Sequence, residues 1–183
     1  VGEWGERIAM REKDFGIWNA FTWNEFDDHA RRVAGGLMTL GLGRGDVVSI
    51  LSEDKKEWAF ADMGCQMIGC VVNGIYPTYQ HGQVLHVLTD SRTRVLIVED
   101  EEQLDKYLQI SDQLPELIKV YVIDWKGLRG FHHPAVEPIG HLYELGAQFR
   151  HENPGRIDAA IDAGKNGDTA VLIYTSGTTG APK

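Results

Sequence analysis

Short runs of β-prone apolar residues recur along the chain, each separated from the next by a stretch with helical spacing. That alternation leaves few folds open. Strands are expected over residues 46–51, with Val47-Val48-Ser49-Ile50-Leu51 at the centre, and again over 70–75, 94–98, 118–123 and 170–174, the last read as buried. The intervening segments carry helix signals. Thr22-Trp23-Asn24-Glu25 is a capping box, and Phe26, Ala30, Val33, Leu37 and Leu40 follow at helical spacing up to a stop at Gly41. Asp54 with Glu57 predicts the start of a second helix, with Trp58, Ala61, Cys65 and Ile68 as its buried stripe. Pro77 ends the second strand, and Thr78 is the expected cap of a third helix bearing Val84, Leu85, Val87 and Leu88. Asp100 with Gln103 caps a fourth, which carries Leu104, Tyr107 and Leu108. Leu142, Leu145 and Phe149 predict a further helix, and the polar connector 153–167 holds a short one over 157–161. Strands joined through helices pair in parallel, so the expected fold is α/β, a mostly parallel sheet with helices on both faces.

With 183 residues and 43% hydrophobic content, one domain with a real core is the default. A net charge of −9 argues against a general nucleic-acid binder and leaves anionic ligands to local features. No apolar run approaches the roughly 20 residues of a membrane span, and Val1-Gly2-Glu3-Trp4 has no basic or apolar leader character, so no signal peptide is expected. Cys65 and Cys70 are too few for a zinc site or a disulfide framework and read as reduced core residues, which fits a cytoplasmic protein. Gly41-Leu42-Gly43-Arg44-Gly45 follows a helix and precedes a strand, the reverse of a dinucleotide-binding turn, and reads as a plain turn. His132 and His133 fall in an expected loop over 127–138 with no carboxylate or cysteine at motif spacing, which favours a solvated loop over a metal or catalytic site.

The strand over 170–174 leads into Tyr174-Thr175-Ser176-Gly177-Thr178-Thr179-Gly180-Ala181-Pro182-Lys183. Glycines let backbone N–H groups approach a ligand, and successive N–H groups in such a turn make an anion-binding concavity. Thr175, Ser176, Thr178 and Thr179 add hydroxyls, and Lys183 adds a full positive charge. This is the inventory a polyphosphate needs. It is not the Walker A loop, because Pro182 interrupts the approach to the lysine and Gly177 and Gly180 are too closely spaced. In a parallel α/β sheet such a loop sits outside the carboxyl end of its strand, where ligands bind.

The ordered string from Tyr174 to Lys183 resembles the phosphate-binding loop of the adenylate-forming superfamily, which includes acyl-CoA ligases, luciferases and peptide-synthetase adenylation domains. Thr22-Trp23, Gly41-Leu42 and Gly45-Asp46-Val47-Val48 are similar to the start of an acyl-CoA ligase large domain. Leu51-Ser52-Glu53-Asp54, Glu57-Trp58, Gly74-Ile75-Tyr76-Pro77-Thr78, Gln83-Val84 and Val98-Glu99-Asp100-Glu101-Glu102-Gln103 resemble the long-chain fatty acyl-CoA ligase branch, while Tyr79-Gln80-His81 departs from it. The resemblance implies that residues 1–183 are the N-terminal part of an AMP-binding large domain, with the C-terminal remainder absent. It also implies an ATP-dependent ligase that converts a fatty acid to its adenylate and then to a coenzyme A thioester. Thr175, Ser176, Gly177, Thr178, Thr179, Gly180 and Lys183 would hold the ATP phosphates, with Thr175 facing Mg²⁺. Tyr174 reads as structural. No catalytic residue of the family maps onto this chain, so the piece alone is expected to be inactive. Peripheral membrane contact and self-association stay open to such a protein. Two alternatives also stay open: an amino-acid-activating adenylation domain and a non-catalytic nucleotide-binding domain.

Overall fold

The protein is described by a computed structural model covering residues 2–175 and Pro182. The chain opens with an antiparallel hairpin, β1 (Ile8–Asp14) and β2 (Ile17–Thr22), and continues into α1 (Trp23–Thr39). There follow β3 (Val47–Leu51), α2 (Lys56–Met67), β4 (Val71–Ile75), α3 (His81–Asp90), β5 (Thr93–Val98) and α4 (Glu101–Leu108). The remaining elements are β6 (Lys119–Val122), β7 (Val136–Pro138), α5 (Ile139–Glu152), α6 (Arg156–Asp162) and β8 (Val171–Ile173). Six strands form one sheet in the order β7-β6-β5-β3-β4-β8, and every neighbouring pair is parallel.

Alternation along the strands divides the core between two faces. On one face Val48, Ile50, Val72, Val95, Ile97 and Tyr121 meet Val33 and Leu37 of α1, Ala61 and Cys65 of α2 and Leu142 of α5. On the other, Leu51, Ile75, Leu96, Val98, Val120 and Val122 meet α3 and α4 through Val84, Val87, Leu88, Leu104 and Tyr107. The result is the three-layer arrangement expected from the alternation of strands and helices. One polar group of side chains lies inside it. Ser49 Oγ is 2.6 Å from Thr93 Oγ1, which is 2.7 Å from Ser91 Oγ, and Asn73 Nδ2 donates to Ser49 Oγ at 2.9 Å. All four residues are buried. Helices α1 and α5 cross closely because glycines face each other: a Cβ added at Gly146 would lie 1.7 Å from the Arg32 carbonyl oxygen.

The capping box at Thr22 and Glu25 forms as expected, and Gly41 takes the left-handed conformation (φ 80°) that ends α1. Asp100 accepts the Gln103 N–H at 3.1 Å and caps α4. Four expectations need correction. Helix α2 starts at Lys56 with Lys55 at its N-cap, not at Asp54, and Glu57 pairs with Lys56 at 3.0 Å instead of turning back to a cap. Helix α3 is capped by Gln80, not Thr78, and the Gln83 side chain accepts the Gln80 N–H at 3.1 Å. The expected loop over 127–138 contains β7, a three-residue strand parallel to β6. Strand β8 is an edge, not a buried strand, and Ile173 is 74% exposed. The β1–β2 hairpin was not foreseen. It turns on Phe15 (φ 45°) and Gly16 (φ 84°), the paired positive φ values that a tight hairpin turn demands.

Candidate functional site

The carboxyl ends of β3, β4 and β8 open onto a cavity of about 380 Å³. Its walls are the segment after β3 (Ser52, Glu53, Asp54), the end of β4 through Tyr76 and Pro77, the Trp58 ring from α2, and β8 through Tyr174. Loops converge there because parallel strands all deliver their connections to the same edge of the sheet. Thr175 follows β8 at this edge and is exposed. Ser176, Gly177, Thr178, Thr179, Gly180 and Lys183 lie outside the described residues, so their expected grip on phosphates is a matter for proposal. Pro182 is described and buried.

The surroundings of this edge are acidic. Glu99, just past β5, accepts the Glu53 N–H at 2.7 Å and pairs with Lys55 at 3.2 Å, which ties the ends of β3 and β5 together. The hydrogen bond to Glu99 raises the Lys55 pKa, although burial opposes it. With Glu53, Asp54 and Glu99 on its rim, the edge offers no general attraction for an anion. A polyphosphate would depend on backbone N–H groups, hydroxyls and a cation at the segment beginning with Thr175. The exposed Thr175 hydroxyl is a hard oxygen donor of the kind Mg²⁺ takes.

Tyr174 and Pro182 flank that segment, and both touch α3. The Tyr174 hydroxyl donates to Asp90 Oδ2 at 2.6 Å, and His86 Nε2 lies 2.8 Å from the Pro182 carbonyl oxygen. The Tyr174 ring is buried among α3 and α4 core residues; burial, and then the Asp90 carboxylate, pushes the phenol up to about 12. It is therefore a neutral donor throughout the physiological range. This is the structural role expected of Tyr174, with its partners now identified. His86 and Asp90 had not been singled out: Asp90 stands 84 residues before Tyr174 and His86 stands 96 before Pro182, and no local pattern links such distant positions.

The other candidate groups take structural roles. His133 Nδ1 accepts the Ala135 N–H at 3.2 Å and its ring lies nearly parallel to Phe131, which shapes the turn into β7. Cys65 and Cys70 are free and buried, as expected. Burial raises both thiols, Cys70 to about 12, and the Cys70 thiol donates to the Gly43 carbonyl at 3.2 Å. Neither is a nucleophile at neutral pH.

A parallel sheet whose strand β8 is followed in sequence by a glycine- and hydroxyl-rich stretch is what an α/β domain of the adenylate-forming kind would show. The chain belongs to the AMP-binding enzyme family, whose profile matches residues 1–183. It is 33% identical over 183 residues to the long-chain-fatty-acid–CoA ligase ACSBG1 of Bos taurus, covering all of this chain and 24% of that protein. Against the long-chain-fatty-acid–CoA ligase FadD15 of Mycobacterium bovis it is 35% identical over 168 residues, 92% of this chain and 26% of that one. The chain thus spans about a quarter of the length of these curated relatives. Among solved structures, the Brucella canis acyl-CoA synthetase superposes with a TM-score of 0.70 at 19% identity, over 97% of this chain and 30% of that chain, and bears on fold alone. The anthranilate CoA ligase AuaEII, solved in complex with anthranoyl-AMP, superposes with a TM-score of 0.65 at 25% identity, over 90% of this chain and 29% of that chain. No helix among the described residues is long and apolar enough to cross a membrane.

Proposed function

We propose that this chain is the N-terminal part of the large domain of a long-chain fatty acid–CoA ligase. In the whole enzyme a fatty carboxylate oxygen attacks the α-phosphorus of ATP, a P–O bond breaks, and pyrophosphate leaves. The coenzyme A thiol then displaces AMP from the acyl-adenylate. The observation that carries the reading is the Tyr174–Lys183 motif in the sequence, whose first residues, Tyr174 and Thr175, follow β8 of the parallel sheet. Relatives at 33% and 35% identity that are named long-chain-fatty-acid–CoA ligases support the acyl substrate.

In this reading Thr175, Ser176, Gly177, Thr178, Thr179, Gly180 and Lys183 bind the β- and γ-phosphates. Backbone N–H groups from the glycines meet the charge that builds on departing pyrophosphate, and preorganised donors do this without reorganising during the reaction. The Thr175 hydroxyl contributes to holding Mg²⁺, which supplies charge neutralisation on the phosphates. The protein works in the cytoplasm, with contact at membrane surfaces where long acyl chains reside.

The test is exchange of pyrophosphate into ATP by the full-length protein that contains this chain, with fatty acids and amino acids as alternative acids. Exchange driven by fatty acids, and collapsing when Gly177 and Gly180 are both replaced by valine, is expected. Exchange driven by amino acids alone overturns the acyl substrate, and unimpaired exchange in the double variant overturns the phosphate-binding role. Residues 1–183 by themselves are expected to release no pyrophosphate.

A further inference from the structure

We infer that α3 clamps the glycine segment at both ends, with His86 and Asp90 as positioning residues for ATP. The inference rests on the phosphate-binding role proposed above. His86 and Asp90 stand four residues apart and therefore on one face of the helix, one turn from each other. One holds the Pro182 carbonyl at 2.8 Å and the other the Tyr174 hydroxyl at 2.6 Å. Seven residues, 175–181, separate the two gripped positions, and they include both glycines and all four hydroxyls of the motif.

The two contacts differ from ordinary core packing. The opposite face of α3 is fixed by Val84, Val87 and Leu88, all buried in the core beneath it. His86 and Asp90 are exposed residues, so the helix does not depend on them for its seat. What they hold are Tyr174 and Pro182, the residues on either side of the segment. Proline has no N–H, so its carbonyl is the backbone group left for gripping. A carbonyl only accepts, so the imidazole donates from Nε2. Each backbone residue fixed in one conformation loses a substantial entropy, and tethering both ends meets part of that loss before ATP arrives. Losing one tether should therefore weaken ATP binding more than it slows chemistry on bound ATP.

The experiment uses the full-length protein that contains this chain, with His86→Leu, His86→Gln and Tyr174→Phe. Glutamine places an amide donor near the position of Nε2, and phenylalanine keeps the Tyr174 ring while removing its hydroxyl. Hydrogen exchange of peptides covering 175–181 reports the clamp directly, and steady-state kinetics report its use. In His86→Leu and Tyr174→Phe, exchange should rise and KM for ATP should rise about 5- to 10-fold, the scale of one lost hydrogen bond. Expected alongside are a kcat within about twofold of wild type and an unchanged KM for the fatty acid. His86→Gln should recover most of the loss. Unaltered exchange in both loss variants overturns the clamp. So does a KM for ATP that stays at the wild-type value while exchange rises, since the tether then has no bearing on nucleotide. A fall in melting temperature shared equally by His86→Gln and His86→Leu, with no recovery of KM, shows a merely structural histidine and also overturns it. Failure of the wild-type protein to bind ATP is a separate result: it removes the phosphate-binding reading and, with it, the assignment of His86 and Asp90 to ATP.

Discussion

Replacing Gly146 by alanine should destabilise the protein, although alanine is the better helix former. Helix propensity alone favours the change by about 1 kcal/mol. The packing of α5 on α1 decides otherwise. A Cβ at position 146 would sit 1.7 Å from the Arg32 carbonyl oxygen and 2.5 Å from its carbon. Carbon and oxygen that are not bonded approach to about 3.3 Å, so the two helices must part by about 1.5 Å. The neighbouring contacts are also tight: Gly36 faces the Leu142 carbonyl so closely that its own Cβ would lie 2.5 Å away. Parting the helices thus loosens Leu142, which is fully buried. Overpacking of this kind costs about 3 kcal/mol, and after the propensity gain the net loss is about 2 kcal/mol. With a urea m-value of about 2 kcal/mol per molar, the unfolding midpoint should fall by about 1 M. Gly140, in the same helix, has no heavy atom within 4 Å of its hypothetical Cβ. Gly140→Ala should therefore hold the midpoint or raise it. Urea unfolding followed by tryptophan fluorescence compares the two. A midpoint for Gly146→Ala at or above wild type would refute the argument from close approach.

Thr22→Ala removes the hydroxyl that accepts the Glu25 N–H at 3.2 Å and should cost about 1 kcal/mol in the same unfolding assay. The His29 ring stacks on Phe60 with centroids 4.5 Å apart, its Nδ1 has no partner among the described residues, and burial lowers its pKa. The folded ring resists a proton that the unfolded chain accepts near about pH 6.5, so stability is complete above that pH and declines as pH falls below it. His29→Leu should flatten the decline between about pH 7 and 5, read from urea midpoints, and an unchanged slope would acquit His29. Cys65 and Cys70 should react slowly with a thiol reagent in the native protein and rapidly in urea, and a fast native thiol would contradict their burial.

The sheet was legible because its strands carry continuous apolar runs while its helices carry stripes, two periods that do not mimic each other. The Thr22 and Asp100 caps were legible because their partners stand three residues away. Asp54 and Thr78 had the same chemistry but not the same outcome. Lys55 took the N-cap of α2 and Gln80 that of α3, because tertiary packing sets where a helix begins when several polar residues compete. The hairpin escaped notice because Phe15 occupies a positive-φ position that glycine, asparagine or aspartate would have advertised. The strand at 170–174 was legible, but an apolar run does not reveal how many neighbours its strand has; among the described residues β4 is the one partner of β8. At the site, the motif was plain as a string of letters. Its two contacts with α3 were not, since they depend on how a helix packs beside a strand far away in sequence.

The group formed by Ser49, Asn73, Ser91 and Thr93 bears on how this sheet chooses its alignment. Strands made of valine, leucine and isoleucine resemble one another, and a chain of them can slide by a residue with little change in composition. A slide of β3 or β5 by one step would turn Ser49 or Thr93 toward the opposite face, among aliphatic side chains with nothing to bond. Each stranded hydroxyl would forfeit about 1–3 kcal/mol. The polar quartet thus works as a keyway: it adds little to the depth of the native well, yet it removes the misaligned sheets that a purely aliphatic centre would tolerate.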